Sequence, residues 1–257
     1  MPSESILSMV SLHLLKRFLD QELQIRKFRK DSKNGLVVRG RKEVQRIGIA
    51  ANTTTETINR AAKRGVDLLM VHHGGWASTD LDLLRQKFAL LRKRQISLYI
   101  AHAPLDGKAG YGNSISLAHA LNLTVVKRFA PYCGAPAGVL ATQRARQLSA
   151  FLQKLRNRIN PKLEYVGKQR SMVRKVAIIT GGMGRNIPWL QQAVGAGCDT
   201  FLCGECSQFF KIYAAEKGIN LICAGHTATE RHGLIALGKI LKQKFGVWVV
   251  RIRERLY

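Results

Sequence analysis

The sequence is poor in acidic residues. Its 257 residues include 16 Asp and Glu against 42 Lys and Arg, so the formal net charge at pH 7 is +26. A charge of this size attracts phosphates, nucleic acid and anionic surfaces without specifying any of them. The basic residues are dispersed, and no helix-turn-helix signature, zinc-finger spacing or aromatic RNP-like run accompanies them. We therefore expect a mainly solvated basic surface, with weak nucleic-acid binding left open.

Cysteine is scarce, and long apolar runs are missing. The cysteines number five and show no disulfide framework, which indicates a reducing compartment. Cys203 and Cys206 form a CxxC pair, but the second pair needed for a zinc finger is absent. No stretch is apolar for long enough to cross a membrane. Because His13, Lys16 and Arg17 interrupt the first apolar segment, it does not fit a secretory signal. The expectation is a cytoplasmic protein without a membrane partner.

What the chain does contain is an alternation of strand-like and helix-like segments. Its hydrophobic fraction of 46% and charged fraction of 23% are those of a globular protein, with length for one large domain or two smaller ones. Apolar runs of strand length lie at 66–71, 96–101, 173–180, 200–203 and 220–224. Between these runs, apolar residues recur at helical spacing, and the same spacing predicts amphipathic helices over 4–24 and 142–158. The pattern predicts an α/β fold with strands buried on both faces.

A candidate metal site lies in the stretch AGHTATERHG, residues 224–233. His226 and Glu230 are four residues apart, so they share one face if the segment is helical. An imidazole beside a carboxylate suits zinc, iron, manganese or cobalt. The segment from Thr227 to Glu230 also fits a capping box, in which the glutamate only completes a helix start. Both interpretations stay open at this point.

Two predicted strands end in further metal-binding side chains. The first ends at His72 and His73, and the next is followed by His102 and Asp106. Ligands collect at the carboxyl ends of strands in open α/β sheets, so these side chains are expected at one edge. Neighbouring side chains in an extended backbone point in different directions, so adjacent histidines suit two ions better than one. Histidines solvated or hydrogen-bonded in a loop are the alternative.

The glycine-rich segment at 181–184 follows the predicted strand 173–180. A loop of this kind can hold phosphate on its backbone amides where a helix begins. The segment lacks the Walker lysine and the full dinucleotide pattern, so a plain tight turn is an equal alternative.

The motifs, taken in order, resemble those of the Nif-three-like family, whose members carry a dinuclear metal centre and are often named GTP cyclohydrolase I type 2 homologues. The resemblance covers nearly the whole chain. It rests on NGLVVRG at 34–40, VHHGGW at 71–76, HAPLD at 102–106, GYGNSISLAHALNL at 110–123, TGGMG at 180–184, CGE at 203–205 and GHTATERHG at 225–233.

The resemblance implies two divalent metal ions per subunit, with zinc, iron, manganese and cobalt all suitable. The ligands that it implies are His72, His73, Asp106, His226 and Glu230, with Glu230 able to bridge both ions. It also implies two similar interlocked α/β lobes with mostly parallel or mixed sheets and the metal site between them. The expected lobes are 1–124 with 222–257, and 125–221. Members of the family resemble toroidal homohexamers, so we expect a homo-oligomer.

The activity implied by the resemblance is metal-assisted hydrolysis of a nucleotide-like or other phosphorylated, anionic small molecule. His102 and Glu205 lie outside the implied ligand set, so they are our candidates for catalytic proton transfer or for orienting the ligands. Two other functions stay open. One is a non-catalytic metal-binding or metal-handling protein with the same ligands, and the other is a basic ring that binds nucleic acid.

Overall fold

The computed structural model describes residues 8–28, 31, 34–75 and 81–255. The strands, in chain order, are β1 (Val10–Ser11), β2 (Gly35–Val38), β3 (Glu43–Val44), β4 (Arg46–Asn52), β5 (Leu68–His73), β6 (Ser97–Ile100), β7 (Thr124–Tyr132), β8 (Ala135–Gln147), β9 (Glu164–Val166), β10 (Met172–Ile179), β11 (Thr200–Cys203), β12 (Asn220–Cys223) and β13 (Trp248–Arg251). The helices are α1 (Leu12–Glu22), α2 (Thr55–Lys63), α3 (Leu81–Lys93), α4 (Ala103–Asp106), α5 (Asn113–Ala120), α6 (Leu148–Arg158), α7 (Ile187–Gly195), α8 (Gln208–Glu216) and α9 (His226–Phe245), with a 3₁₀ turn at Ile25–Lys27.

The chain divides into two compact units. The first contains the described part of Met1–Leu105 together with Leu234–Arg255, and the second is Asp106–Gly233. The boundaries between the units fall after Leu105 and after Gly233, whereas the predicted lobes have their boundaries after residues 124 and 221.

The first unit is built on a five-stranded sheet. Its strand order is β13-β4-β5-β6-β2, with β2 antiparallel to β6 and the other neighbours parallel. The apolar runs that predicted β5 and β6 are buried, as expected for strands covered on both faces. One side of the sheet packs into a core that includes Ile58, Leu69, Val71, Leu91 and Leu98.

The second unit is built on a six-stranded sheet of order β7-β8-β10-β11-β12-β9. Its central strands β10, β11 and β12 are parallel, and the remaining neighbours are antiparallel. Successive residues of β10 enter different cores. Val176 and Ile178 join one cluster, whereas Ala177 and Ile179 join the other. The predicted α/β class with mixed sheets is therefore confirmed.

The prediction of a helix over 142–158 is partly wrong. Residues up to Gln147 continue β8, which pairs with both β7 and β10, and the helix begins only at Leu148. Pairing with β10 extends as far as Gln147, and these backbone hydrogen bonds override the helical spacing of the segment. At the N-terminus, α1 begins after Ser11, whose hydroxyl accepts from the Leu14 amide. Residues 4–7 of the predicted first helix lie outside the described residues.

None of the helices in the part of the chain that the structure describes is both long enough and apolar enough to span a membrane.

Candidate metal centre

The first unit brings His72, His73 and His102 together. Parallel strands β5 and β6 pair with Val71 opposite Ile100, so the residues that follow each strand emerge at the same edge. The ring centroids lie 4.8 Å apart for His72 and His73, 4.8 Å for His72 and His102, and 5.4 Å for His73 and His102. One nitrogen from each ring lies within 4.8 Å of the other two. The predicted convergence is therefore present for the three histidines, whereas Asp106, predicted with them, belongs to the second unit.

His102 is held by an aspartate that the sequence analysis did not identify. Its Nδ1 lies 2.8 Å from Asp31 Oδ2, which also accepts from the Ala103 amide at 3.1 Å. The His102 amide donates to Asn34 Oδ1 at 2.7 Å. Burial raises the pKa of Asp31, but hydrogen bonds from His102 and Asn34 outweigh it and hold that pKa well below its usual range. An ionised Asp31 only accepts, so the proton of His102 lies on Nδ1 and its Nε2 carries the lone pair.

His72 and His73 are also fixed through Nδ1. His72 is fully buried, and its Nδ1 donates to the Ala101 carbonyl at 2.7 Å. His73 Nδ1 lies 2.9 Å from Asn52 Oδ1. The amide of Asn52 is oriented in turn, because its Nδ2 donates to Glu254 Oε1 at 3.1 Å. Both histidines therefore carry the proton on Nδ1 and present Nε2, the arrangement in which a second partner fixes a metal-binding imidazole.

Glu254 fixes the end of β4 as well as the Asn52 side chain. Its carboxylate accepts from the Ala51 amide at 2.7 Å and from the Asn52 amide at 2.8 Å. Burial raises the pKa of Glu254, and the hydrogen bonds from Ala51 and Asn52 oppose that rise. A carboxylate near the end of the described chain thus holds a residue that orients His73.

Removal of the Asn52 side chain tests this arrangement. In Asn52→Ala, His73 loses the acceptor that selects its tautomer, so we expect metal affinity to fall about 10–100-fold, the range typical of such outer partners. Calorimetric titration with zinc measures it. The control is Asn157→Ala, which removes an exposed amide that contacts Gln153 on α6. Equal affinity in the two variants would contradict the positioning role of Asn52.

The second unit places His226 between two carboxylates. His226 Nε2 lies 3.0 Å from Glu230 Oε2, and His226 Nδ1 lies 3.2 Å from Glu205 Oε1. Because α9 begins at His226, Thr227 lies inside the helix, and Glu230 contacts an imidazole. The capping-box interpretation is therefore not supported. The three residues form a ligand-like cluster in which Glu230 is buried and Glu205 is exposed.

The carboxylates raise the basicity of His226. Burial lowers the pKa of His226, but hydrogen bonding and charge from Glu230 and Glu205 outweigh it and raise the pKa to about 9. In the metal-free protein the imidazole is therefore protonated at neutral pH. A metal ion that binds His226 must displace this proton, so binding releases protons in this range.

This pKa predicts a pH-dependent stability. The stabilisation from protonated His226 is complete below its ordinary pKa of 6.5 and is lost as the pH rises through about 9. We therefore expect the free energy of unfolding of the metal-free protein to fall across this window, as measured by urea unfolding. The His226→Gln variant is the control and should lack the fall. An identical pH dependence in both proteins would exclude His226 as the source.

Gly181 allows the close approach of Glu230. Its φ is +70°, and a Cβ built there would collide with Glu230 Oε1 and lie 3.2 Å from His226 Nε2. The Gly181 amide donates to Thr229 Oγ1 at 3.0 Å, and the Gly184 amide donates to the Glu205 carbonyl at 3.1 Å. These two amides already have acceptors within the protein, as the tight-turn interpretation expects.

Asp106, the last residue of α4, is buried and held by a second asparagine. Asn113 Nδ2 donates to Asp106 Oδ1 at 2.8 Å, while Asn113 Oδ1 accepts from the Gly233 amide at 3.0 Å. Because Oδ1 accepts and Nδ2 donates, the orientation of the Asn113 amide is fixed. Asp106 thus presents its second carboxylate oxygen in a defined position. Sequence reasoning missed this role of Asn113, because no local pattern distinguishes it from other asparagines.

The comparisons with known proteins cover almost the whole chain. The model of the Duf34/NIF3 (NGG1p interacting factor 3) family matches residues 10–255. A relative from Pyrococcus abyssi, named GTP cyclohydrolase 1 type 2 homolog, is 32% identical over 91% of this chain and 94% of its own length. A relative of the same name from Deinococcus radiodurans is 31% identical over 91% of this chain and 89% of its own length.

Solved structures agree with the sequence relatives. Protein ybgI, described as of unknown function, superposes with a TM-score of 0.83 at 26% identity, over 96% of this chain and all (100%) of its own. TTHA1606 from Thermus thermophilus gives a TM-score of 0.79 at 27% identity, over 96% of this chain and 99% of its own. The predicted resemblance is confirmed: the chain belongs to the Duf34/NIF3 family.

Proposed function

We propose that this protein binds two divalent metal ions per subunit. The proposed ligands are His72, His73, Asp106, His226 and Glu230, and zinc, iron, manganese and cobalt all suit this set. The observation that carries the proposal is the common orientation of the histidines in the first unit, where Nδ1 is engaged by Ala101 and Asn52 and Nε2 is presented. The donor set fits metal ions, because imidazoles and carboxylates bind them once they are deprotonated, and His226 would release its proton on binding.

The activity that we propose is hydrolysis of a nucleotide-like or other phosphorylated small molecule. When bound, paired divalent ions acidify water and polarise a carbonyl or phosphoryl oxygen. The formal charge of +26 would concentrate such anions near the protein. The name GTP cyclohydrolase 1 type 2 homolog, carried by relatives, supports a purine nucleotide as the first substrate to examine.

His102 and Glu205 are the proposed proton-transfer groups. His102 presents Nε2 while the carboxylate of Asp31 stabilises any positive charge that the ring acquires. Glu205 is exposed and contacts His226 through one oxygen, so it can accept a proton at the other or orient the imidazole. A proton-transfer role predicts that His102→Gln lowers turnover more than it lowers metal content.

The test combines metal analysis with a substrate screen. Protein purified without added metal should contain a divalent metal, and saturated protein should contain about two equivalents per chain. Metal-dependent release of product from a nucleotide in the screen would establish a hydrolase. Stoichiometric metal without turnover of any phosphorylated compound would favour the metal-handling alternative, and one equivalent or less at saturation would contradict the dinuclear centre.

We also propose a closed homo-oligomer, most simply a hexamer, as the resemblance implies. Closed symmetry is the usual solution for soluble assemblies of one chain. Light scattering at moderate salt should then give about six times the 28.7 kDa mass of the chain. A dilution series is the control for weak association. A single monomer species at all concentrations would contradict the assembly.

A further inference from the structure

Cysteine sulfurs converge in the second unit beside the His226 cluster. Cys203 and Cys223 are register partners on the parallel strands β11 and β12, so both side chains enter the same core. Their Sγ atoms are 3.8 Å apart. Cys206 lies just after β11 and forms a disulfide with Cys223, although the sequence predicted no disulfide framework. The CxxC pair thus meets a third cysteine from the neighbouring strand.

The cysteines of this cluster differ in their exposure to solvent. Cys203 is fully buried and Cys223 is nearly so, whereas Cys206 is partly exposed. Burial raises the pKa of the Cys203 thiol, and the charge of Glu205 raises it further. A protonated thiol is a poor nucleophile, so Cys203 does not readily attack the neighbouring disulfide. An external thiol reaches the disulfide most directly at Cys206.

We propose that Cys206 and Cys223 form a reversible thiol–disulfide site whose exchange partner is a small thiol and the corresponding disulfide. A thiolate attacks Cys206 Sγ, a mixed disulfide forms, and the Cys223 sulfur leaves and takes up a proton. A second thiol then attacks the external sulfur of the mixed disulfide. It releases the oxidised small molecule and leaves Cys206 as a thiol. The site gains two electrons and two protons, and two small thiols lose them in forming one disulfide.

Glu205 links this site to the proposed metal centre, so the coupling described here rests on the proposed function. Glu205 immediately precedes Cys206, and its carboxylate contacts His226. The backbone of this turn is also held independently, since the amides of Gly204 and Glu205 both donate to the Gly181 carbonyl. Reduction frees the Cys206 side chain, so we expect the adjacent Glu205 side chain to shift, while these backbone hydrogen bonds keep the turn folded. We expect a change in metal affinity of about fivefold, the lower end of typical coupling between sites.

The covalent step is tested by equilibrating the folded full chain with mixtures of dithiothreitol and its cyclic disulfide, followed by acid quenching and peptide mapping. The expected result is one reversible transition in which the peptides of Cys206 and Cys223 become linked. Iodoacetamide should modify Cys206 only in the reduced protein and should react slowly with Cys203 in both states. Cys133→Ser is the control, because Cys133 is partly exposed and lies outside the cluster.

Several outcomes would overturn the proposal. Failure of the linkage to form at any ratio of dithiol to disulfide would remove the site. Persistence of the linkage in folded protein under excess dithiol would make it a permanent crosslink. An additional zinc equivalent in the reduced wild type, above that bound by reduced Cys206→Ser, would make the cluster a metal site instead. These results do not depend on metal at the histidines, so the redox site and the proposed function can fail separately. Equal zinc affinity of the oxidised and reduced proteins would overturn the coupling.

Discussion

Replacement of Glu230 by alanine is expected to weaken binding strongly at both proposed metal positions. Glu230 is the implied bridging ligand, it is only 5% exposed, and its carboxylate already contacts His226. Loss of a shared ligand removes negative charge from both ions at once, so we expect affinity to fall by more than the roughly 10–100-fold typical of outer partners. Equilibrium dialysis followed by elemental analysis measures the equivalents bound.

Two other variants serve as controls for Glu230→Ala. Glu216→Ala removes an exposed carboxylate at the end of α8 and should retain full metal content. His73→Ala should weaken mainly one equivalent, because the two histidines are expected to serve different ions. Loss of only one metal equivalent in Glu230→Ala, or of both equivalents in His73→Ala, would contradict the proposal that Glu230 bridges the two ions.

Gly181→Ala is expected to have the second largest effect. An added methyl group would occupy the space of the Glu230 carboxylate, and the φ of +70° would also be strained for alanine. The carboxylate must therefore leave its present position, in which it contacts His226. We expect both a lower free energy of unfolding and a metal affinity reduced by about tenfold or more. Urea unfolding and zinc calorimetry measure the two effects.

The chain offers a matched control for this glycine. Gly197 has a φ of +72°, and a Cβ built there meets nothing within 4 Å. Gly197→Ala therefore carries the same backbone strain, about 1 kcal/mol, without the collision. We expect it to be less stable than the wild type but to bind metal normally. Similar metal affinities in the two glycine variants would show that strain, not the carboxylate, accounts for the loss at Gly181.

The strands that position the candidate site could be predicted from the sequence. The apolar runs that end at His72 and precede His102 are buried strands, and the spacing of His226 and Glu230 does place them in contact on one helix. These features are encoded locally, by periodicity and by spacing. The hairpin β7–β8 was missed because Pro131 and Pro136 lie within its strands, and such residues usually mark turns.

The partners that orient the histidines could not be predicted, because they lie far away in the sequence. Asp31 is 71 residues from His102, and Glu254 is 202 residues from Asn52. An isolated aspartate or asparagine has no distinctive local pattern, and only the tertiary fold pairs it with an imidazole. The same holds for Cys206 and Cys223, which are brought together by the pairing of neighbouring strands.

The contact between Glu254 and Asn52 has a consequence for biosynthesis. Asn52 is synthesised 202 residues before its carboxylate partner. At typical elongation rates this interval is about 10–40 s, during which the nascent chain cannot complete the support of His73. During this period the Asn52 amide that contacts His73 lacks the Glu254 carboxylate that orients it. If the protein binds metal as proposed, we expect stable loading at His73 only after Glu254 has been synthesised.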